Sequence, residues 1–331
     1  MSEVVCTGLR EEHFPLAALA AYGLLRICAE DLDLEDVRLC WRQLPHWTAV
    51  LDLPGEGSLA NLPMRLAASC AKVPRTADQS RGGSPWRRLP GSFPRNVPLA
   101  TFAALFREEA MNATPEDRRR TDTLVALGTE LIASKKNVVP SPLCMPQSGN
   151  SPWATRVCEL ERVLSDDPQA GARAFEEALF SPWRYRDEQT SLGLDPSAVR
   201  LHAYRAQNPT SEGTSPGVRG AVWLAIQSLA LFACAPHSRR VATAGFSDRA
   251  HDGGNLFLPV WTEAIGLDAL RSLLTLPFAD DSRTLRDLER RGVAAVYVSR
   301  RQAMGEWGVH ALGPAEVCAG AGSISDRAER R

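Results

Sequence analysis

The sequence predicts an α+β chain, and three observations carry that class. The last third alternates segments of period two with segments of period 3.6. The first 75 residues run strand, helix, strand, strand, helix, and a Pro- and Gly-broken stretch followed by helices separates the two ends. The 331 residues divide accordingly into an N-terminal βαββα module (1–75), a basic loop and helical middle (76–170), a C-terminal sheet domain (171–318) and a flexible tail (319–331).

VVCTGL (4–9) is the first strand, and the helix after it has Pro15 near its start, where a missing amide is harmless. Leu16, Leu19, Ala20, Gly23, Leu24 and Ile27 recur at three-to-four spacing with small residues between them, the pattern of a helix packed on more than one side. VRLCWRQ and TAVLDL are the next strands, and GEGS turns the chain into a helix near 59–72. From Gln79 to Arg107, Gly82, Gly83, Pro85, Pro90, Pro94 and Pro98 break regular structure. Arg81, Arg87, Arg88, Arg95 and Arg107 face no acid within that segment, so it is a basic loop, with Trp86 and Phe93 as stacking surfaces for a ligand. Helices are expected over 100–112 and 116–134, then an irregular KKNVVPSPLCMPQSGNSP, then helices over 153–164 and 168–180.

In the last third RLHAYRA (200–206) alternates like a strand and VRGAVWLAIQSLALFAC (218–234) reads as a buried helix. RRVATAGF and NLFLPVW are strands, LDALRSLLTL and TLRDLERR supply helix, and VAAVYVSRR (293–301) closes with a strand. The order βαββαβ is the ferredoxin-like arrangement, a four-stranded antiparallel sheet with helices on one face. Such a sheet leaves one face open unless something covers it, and many RNA-binding modules use that open face. Arg200, His202, Tyr204, Arg239, Arg240, Tyr297, Arg300 and Arg301 lie on or beside its strands, and between Val199 and Ser247 the only acid is Glu212.

With 44% hydrophobic and 23% charged residues the composition is that of a soluble globular protein. The formal net charge of −1 selects no class of partner, so the distribution of charge has to. The eight cysteines are scattered without a CxxC or other metal-ligand spacing, which predicts buried free thiols in a reducing cytosol. MSEVVCTGLREEH carries acids and lacks the basic start of a signal peptide, and FPLAALAAYGLLRIC is shorter than the roughly 20 apolar residues a membrane span needs. The expected compartment is the cytoplasm.

Catalytic signatures are sparse. GEGS at 55–58 and GAGS at 320–323 are too short for a phosphate-binding loop, and no GxSxG elbow exists. His251 and Asp252 would be half of a metal site, but they lie between two strands and run into Gly253 and Gly254, so a hairpin loop explains them. Asp280 and Asp281 suit a helix N-terminus. His237 beside Arg239 and Arg240 has the composition for metal-free RNA cleavage, the imidazole moving a proton and the arginines steadying a phosphate; a loop histidine on a basic surface is the simpler reading. Neither catalysis nor a metal or cofactor is expected.

Basic pairs persist along the chain, and Arg118 to Arg120, surrounded by Glu116, Asp117 and Asp122, is the one best explained as a solvated face. In FSPWRYRDEQTSLGLDP (180–196), an extended backbone would turn Trp183 and Tyr185 inward and Arg184 and Arg186 outward. The candidate nucleic-acid contacts are Arg87, Arg88, Arg95, Arg184, Arg186, Arg239, Arg240, Arg300 and Arg301.

That stretch, with RLHAYRAQNP, VRGAVWLAIQSLALFAC, RRVATAGF, LPVWTEAIGLDALRSLLTLP and RRGVAAVYVSRR, resembles the C-terminal part of subunits of type I-G (formerly I-U) CRISPR effector complexes. HFPLAALAAYGLLRICAED with VRLCWRQ is similar to the beginning of proteins from the same gene neighbourhoods, while residues 75–170 have no counterpart. The resemblance implies a non-catalytic, large-subunit-like member of an RNA-guided complex. Its partners would be guide RNA, target DNA, other effector subunits and the recruited helicase-nuclease. In such complexes guide pairing reads sequence, while protein contacts read a short adjacent duplex motif and hold strands. The chain is short for a large subunit, which leaves open a small- or backbone-subunit role, a guide-RNA-processing endonuclease using His237 or His251, and a scaffold without nucleic-acid contacts.

Overall fold

Every residue of helix α1 (Leu16–Glu30) from Leu16 to Cys28 is buried, which its mix of leucines, alanines and one glycine permits by leaving Arg26 as the sole charged side chain of that stretch to be paired inside. The structure, a computed structural model, describes residues 2–32, 34–53, 61–71, 85–89, 93–94, 96–114, 118–145, 153–188, 191–197, 216–238, 240–247, 254–278, 282–304 and 309–320. Around α1 lie β1 (Ser2–Arg10), β2 (Arg38–Gln43) and β3 (Trp47–Leu53), an antiparallel sheet of order β1-β3-β2, followed by α2 (Leu62–Ala71). This is the order expected for the first module.

The middle region contributes α3 (Leu99–Asn112), α4 (Arg119–Leu127), a hairpin of β4 (Gly128–Ser134) and β5 (Asn137–Pro140), α5 (Trp153–Asp166) and α6 (Pro168–Phe180). The helix expected over 116–134 stops at Leu127. Leu131, four residues on and in step with the helical period, is instead 69% exposed on β4. Lys135 and Lys136, both at positive φ, turn the hairpin, so part of the stretch expected to be irregular is strand. Asp167 caps α6, its Oδ1 accepting from the amides of Gln169 at 2.9 Å and Ala170 at 3.1 Å.

Helix α7 (Arg219–Ser228) lies against α1 so closely that a Cβ on Gly23 would stand 1.8 Å from the carbonyl oxygen of Leu224. The expected helix over 218–234 ends with a short 3-10 turn at Leu231, and Cys234 already begins a strand. β6 (Asp187–Glu188) pairs with β7 (Pro216–Gly217), and β8 (Cys234–His237) with β9 (Arg240–Thr243). The last sheet is β10 (Phe246–Ser247), β11 (Asn255–Trp261), β12 (Val293–Met304) and β13 (Val309–Gly320), hydrogen-bonded in that order and antiparallel throughout. Helices α8 (Leu267–Leu274) and α9 (Ser282–Glu289) connect β11 to β12.

The architecture is α+β with several small antiparallel sheets, and it departs from the ferredoxin-like expectation in two ways. The strand expected at 200–206 lies outside the described residues. A split βαβ pattern would make the strands flanking the second helical segment parallel and separated, whereas β11 and β12 are direct antiparallel neighbours. β13, which the sequence reading did not anticipate, is the fourth strand. Nor is the sheet open on one face. Leu256, Leu258, Val260 and Tyr297 join the main core, while Phe257, Val293 and Val296 pack with Leu288 of α9. Tyr22 of α1 donates from its hydroxyl to the Pro259 carbonyl at 2.7 Å, and the Trp261 indole donates to the Leu39 carbonyl at 2.7 Å, tying this sheet to the N-terminal one. One continuous core runs from Val4 to Leu312. Among the described residues no helix is long and apolar enough to cross a membrane.

Candidate nucleic-acid interface

After α6 the chain runs through Ser181 to Arg186 without regular structure, and its side chains still alternate. Trp183 is 8% exposed; its ring stacks on His13 at 4.3 Å and its Nε1 donates to the Ala178 carbonyl at 3.1 Å. Tyr185 is half-buried, with its phenol beside the buried carboxylate of Asp195; burial first, and then that negative charge, push its pKa well up. Arg184 and Arg186 are exposed, as the alternation predicts. Tyr185 sits at φ 52, and this turn keeps the segment from being a strand. Asp187 accepts from the Arg219 amide at 3.0 Å and faces its guanidinium at 3.6 Å.

The β8–β9 hairpin turns at Ser238, φ 55, and places His237 opposite Arg240, both exposed. Its base is anchored by Cys234, whose thiol donates to the Ala126 carbonyl at 3.3 Å. Arg239 lies outside the described residues. On β12, Arg300 is exposed opposite Asn255, and the half-buried Arg301 stands opposite Leu312. Tyr297, expected on an open sheet face, is 4% exposed and donates to Glu11 Oε1 at 2.6 Å.

The basic loop is reshaped by residues from elsewhere. Arg88 bonds Glu108 at 2.7 Å and also Glu109, both on α3, so its charge is neutralised by acids some twenty positions downstream. Trp86 and Phe93 are 2% and 1% exposed and pack edge-on against Trp153, with centroids at 5.3 and 6.0 Å. They are core, not stacking surfaces. Among the described residues Pro85 starts a short 3-10 turn through Arg88, and the rings of Trp86 and Phe93 turn inward onto α5. The Arg87 side chain and Arg95 fall outside the described residues, as do His251 and Asp252, Asp280 and Asp281, and the tail beyond Gly320. Arg118 pairs with Asp122 at 3.2 Å, the solvated-face arrangement expected of it.

The structure therefore brings His237 together with Arg240 across the hairpin, leaves Arg184 and Arg186 exposed on either side of Tyr185, leaves Arg300 exposed beside a half-buried Arg301 on β12, and sets Arg88 apart in an ion-pair cluster. Sequence reasoning missed Glu108 and Glu109, because the absence of acids within one segment says nothing about acids folded against it. Among the described residues no group of three or more His, Cys, Asp or Glu could hold a metal ion. The cysteines are free thiols, and burial pushes that of Cys6 up to about 12. Comparison with known proteins finds no matching family model, no matching curated protein and no matching solved structure.

Proposed function

We propose that this chain is a non-catalytic nucleic-acid-binding subunit of a cytoplasmic, RNA-guided CRISPR interference complex, contacting guide or target strands beside other effector subunits and the helicase-nuclease they recruit. The sequence resemblance supplies the system. The observation that carries the binding role is the β8–β9 hairpin, where His237 and Arg240 are exposed opposite each other. Arg184 and Arg186 are exposed as well, on either side of Tyr185 and next to the buried Trp183. Arginine forks onto phosphate oxygens and releases counterions as it does so.

The test is the salt dependence of oligonucleotide binding. Replacing Arg184, Arg186 and Arg240 together with alanine should lower the slope of log K against log salt by roughly 2 to 3. An unchanged slope assigns these arginines to another partner, and a wild-type protein that binds no nucleic acid in a salt-sensitive way removes the proposal. Cleavage of repeat RNA in chelator, abolished by His237→Ala, would replace it with the endonuclease reading.

A further inference from the structure

Beside the basic hairpin lies a cleft of about 530 Å³, within the range of roughly 300–1,000 Å³ typical of small-ligand sites. Its walls are the β8–β9 hairpin, the turn into β10, and the segment after α8. Ala235, Ala242, Ala244 and Gly245 keep it wide, and Phe246 and Phe278 present half-buried rings to it. Phe278 is held in place by stacking on Phe257 at 5.7 Å. None of the lining residues is charged; Asp248, Asp280 and Asp281, which follow lining segments in the sequence, are outside the described residues.

Strand geometry links this cleft to the charge beside it. Ala235 pairs with Ala242, and two residues along, His237 pairs with Arg240. Residues two apart on a strand share a face, so the imidazole and guanidinium stand on the face that carries Ala235 and Ala242, roughly 7 Å along the ribbon, while Cys234 and Thr243 line the cleft from the other face. An apolar slot with aromatic walls and a cationic lip suits a flat, weakly polar ring that carries an anion on a short tether. A duplex keeps its bases stacked inside, whereas a single strand offers them.

We propose that this cleft takes one unstacked base of a single-stranded nucleic acid, against Phe246 and Phe278, with the adjoining phosphate at His237 and Arg240. The inference rests on the nucleic-acid reading above and names the form of ligand that reading leaves open.

The experiment compares binding of the full chain to oligothymidine and to a fully abasic oligomer of equal length, which has the same charge and no bases. Wild type should prefer oligothymidine by roughly 5- to 150-fold, the range that base–aromatic stacking supplies. Ala242→Leu, an exposed position where the added bulk fills the cleft without touching the core, should erase that preference and leave the salt slope unchanged. Phe278→Ala should do the same, with its unfolding midpoint measured alongside. Equal affinity of wild type for the two oligomers overturns the base site while leaving phosphate binding intact. A preference that persists in Ala242→Leu overturns it as well, by placing the base elsewhere. Failure to bind either oligomer removes the nucleic-acid reading itself.

Discussion

Trp183 has contacts its two arginine neighbours lack: a ring stacked on His13, an edge-on contact with Tyr185 at 6.2 Å, and an indole hydrogen bond to Ala178. Trp183→Ala should therefore lower unfolding free energy by roughly 3 to 5 kcal/mol, whereas Arg184→Ala and Arg186→Ala should each stay within about 0.5 kcal/mol of wild type in denaturant titrations. A Trp183→Ala protein that unfolds like wild type yet loses binding would make the ring a ligand platform. Its partner His13 gives a pH signature. Burial lowers the imidazole pKa, Glu12 at 3.5 Å opposes that, and Arg10 reinforces it; Tyr185 stands edge-on at 6.5 Å. A depressed folded-state pKa means the unfolded chain takes up the proton first as pH falls. The contribution is thus full above the unfolded value of about 6.5 and is lost as pH drops through the folded value. Wild-type stability should decline below about pH 6.5, and His13→Phe should flatten that decline. Identical slopes for the two proteins would discard His13 as the source.

At the scale of elements, the contact of α1 with α7 is set by small residues. Alanine in place of glycine inside a helix ordinarily stabilises by about 1 kcal/mol. At Gly23 the added Cβ would meet the Leu224 carbonyl oxygen at 1.8 Å and the Ser228 amide nitrogen at 3.1 Å, both backbone atoms that cannot rotate away. Gly23→Ala should reverse the usual sign and destabilise by at least about 1 to 3 kcal/mol, read from the denaturant midpoint. A stabilised variant would mean the two helices stand further apart. The buried Arg26 locks the same pair of helices, donating from Nη1 to the Gln227 carbonyl at 2.8 Å and from Nε to Glu30 at 2.8 Å, while Glu30 also takes Arg271 of α8. Each group in this network has a partner, the condition for keeping charge inside a fold.

At the scale of the molecule, the core that begins at Val4 and reaches Leu312 joins the three segments read from the sequence. Residues 1–75 expressed alone should fail to fold, because α1 would expose to water the surface it presents to α7 and to β11; circular dichroism and a thermal melt would decide this, and a cooperative melt would make the module independent. What the sequence determined by itself was local. β1, α1, β2, β3, α2, α5, α6 and β11 stand close to where periodicity and turn residues place them, since period two and period 3.6 are properties of contiguous residues. The burial order of Trp183, Arg184, Tyr185 and Arg186 was legible too, though it arises around a turn at Tyr185 and not along the extended strand from which it was expected. Only the tertiary structure decided what each residue faces. It set Glu108 and Glu109 against Arg88, buried Trp86 and Phe93 on Trp153, joined Tyr297 to Glu11, turned the end of an expected helix into β4, and placed Phe278 beside a hairpin some forty residues earlier. Burial and charge pairing depend on neighbours in space, and composition within a segment carries no information about which distant segment will lie across from it.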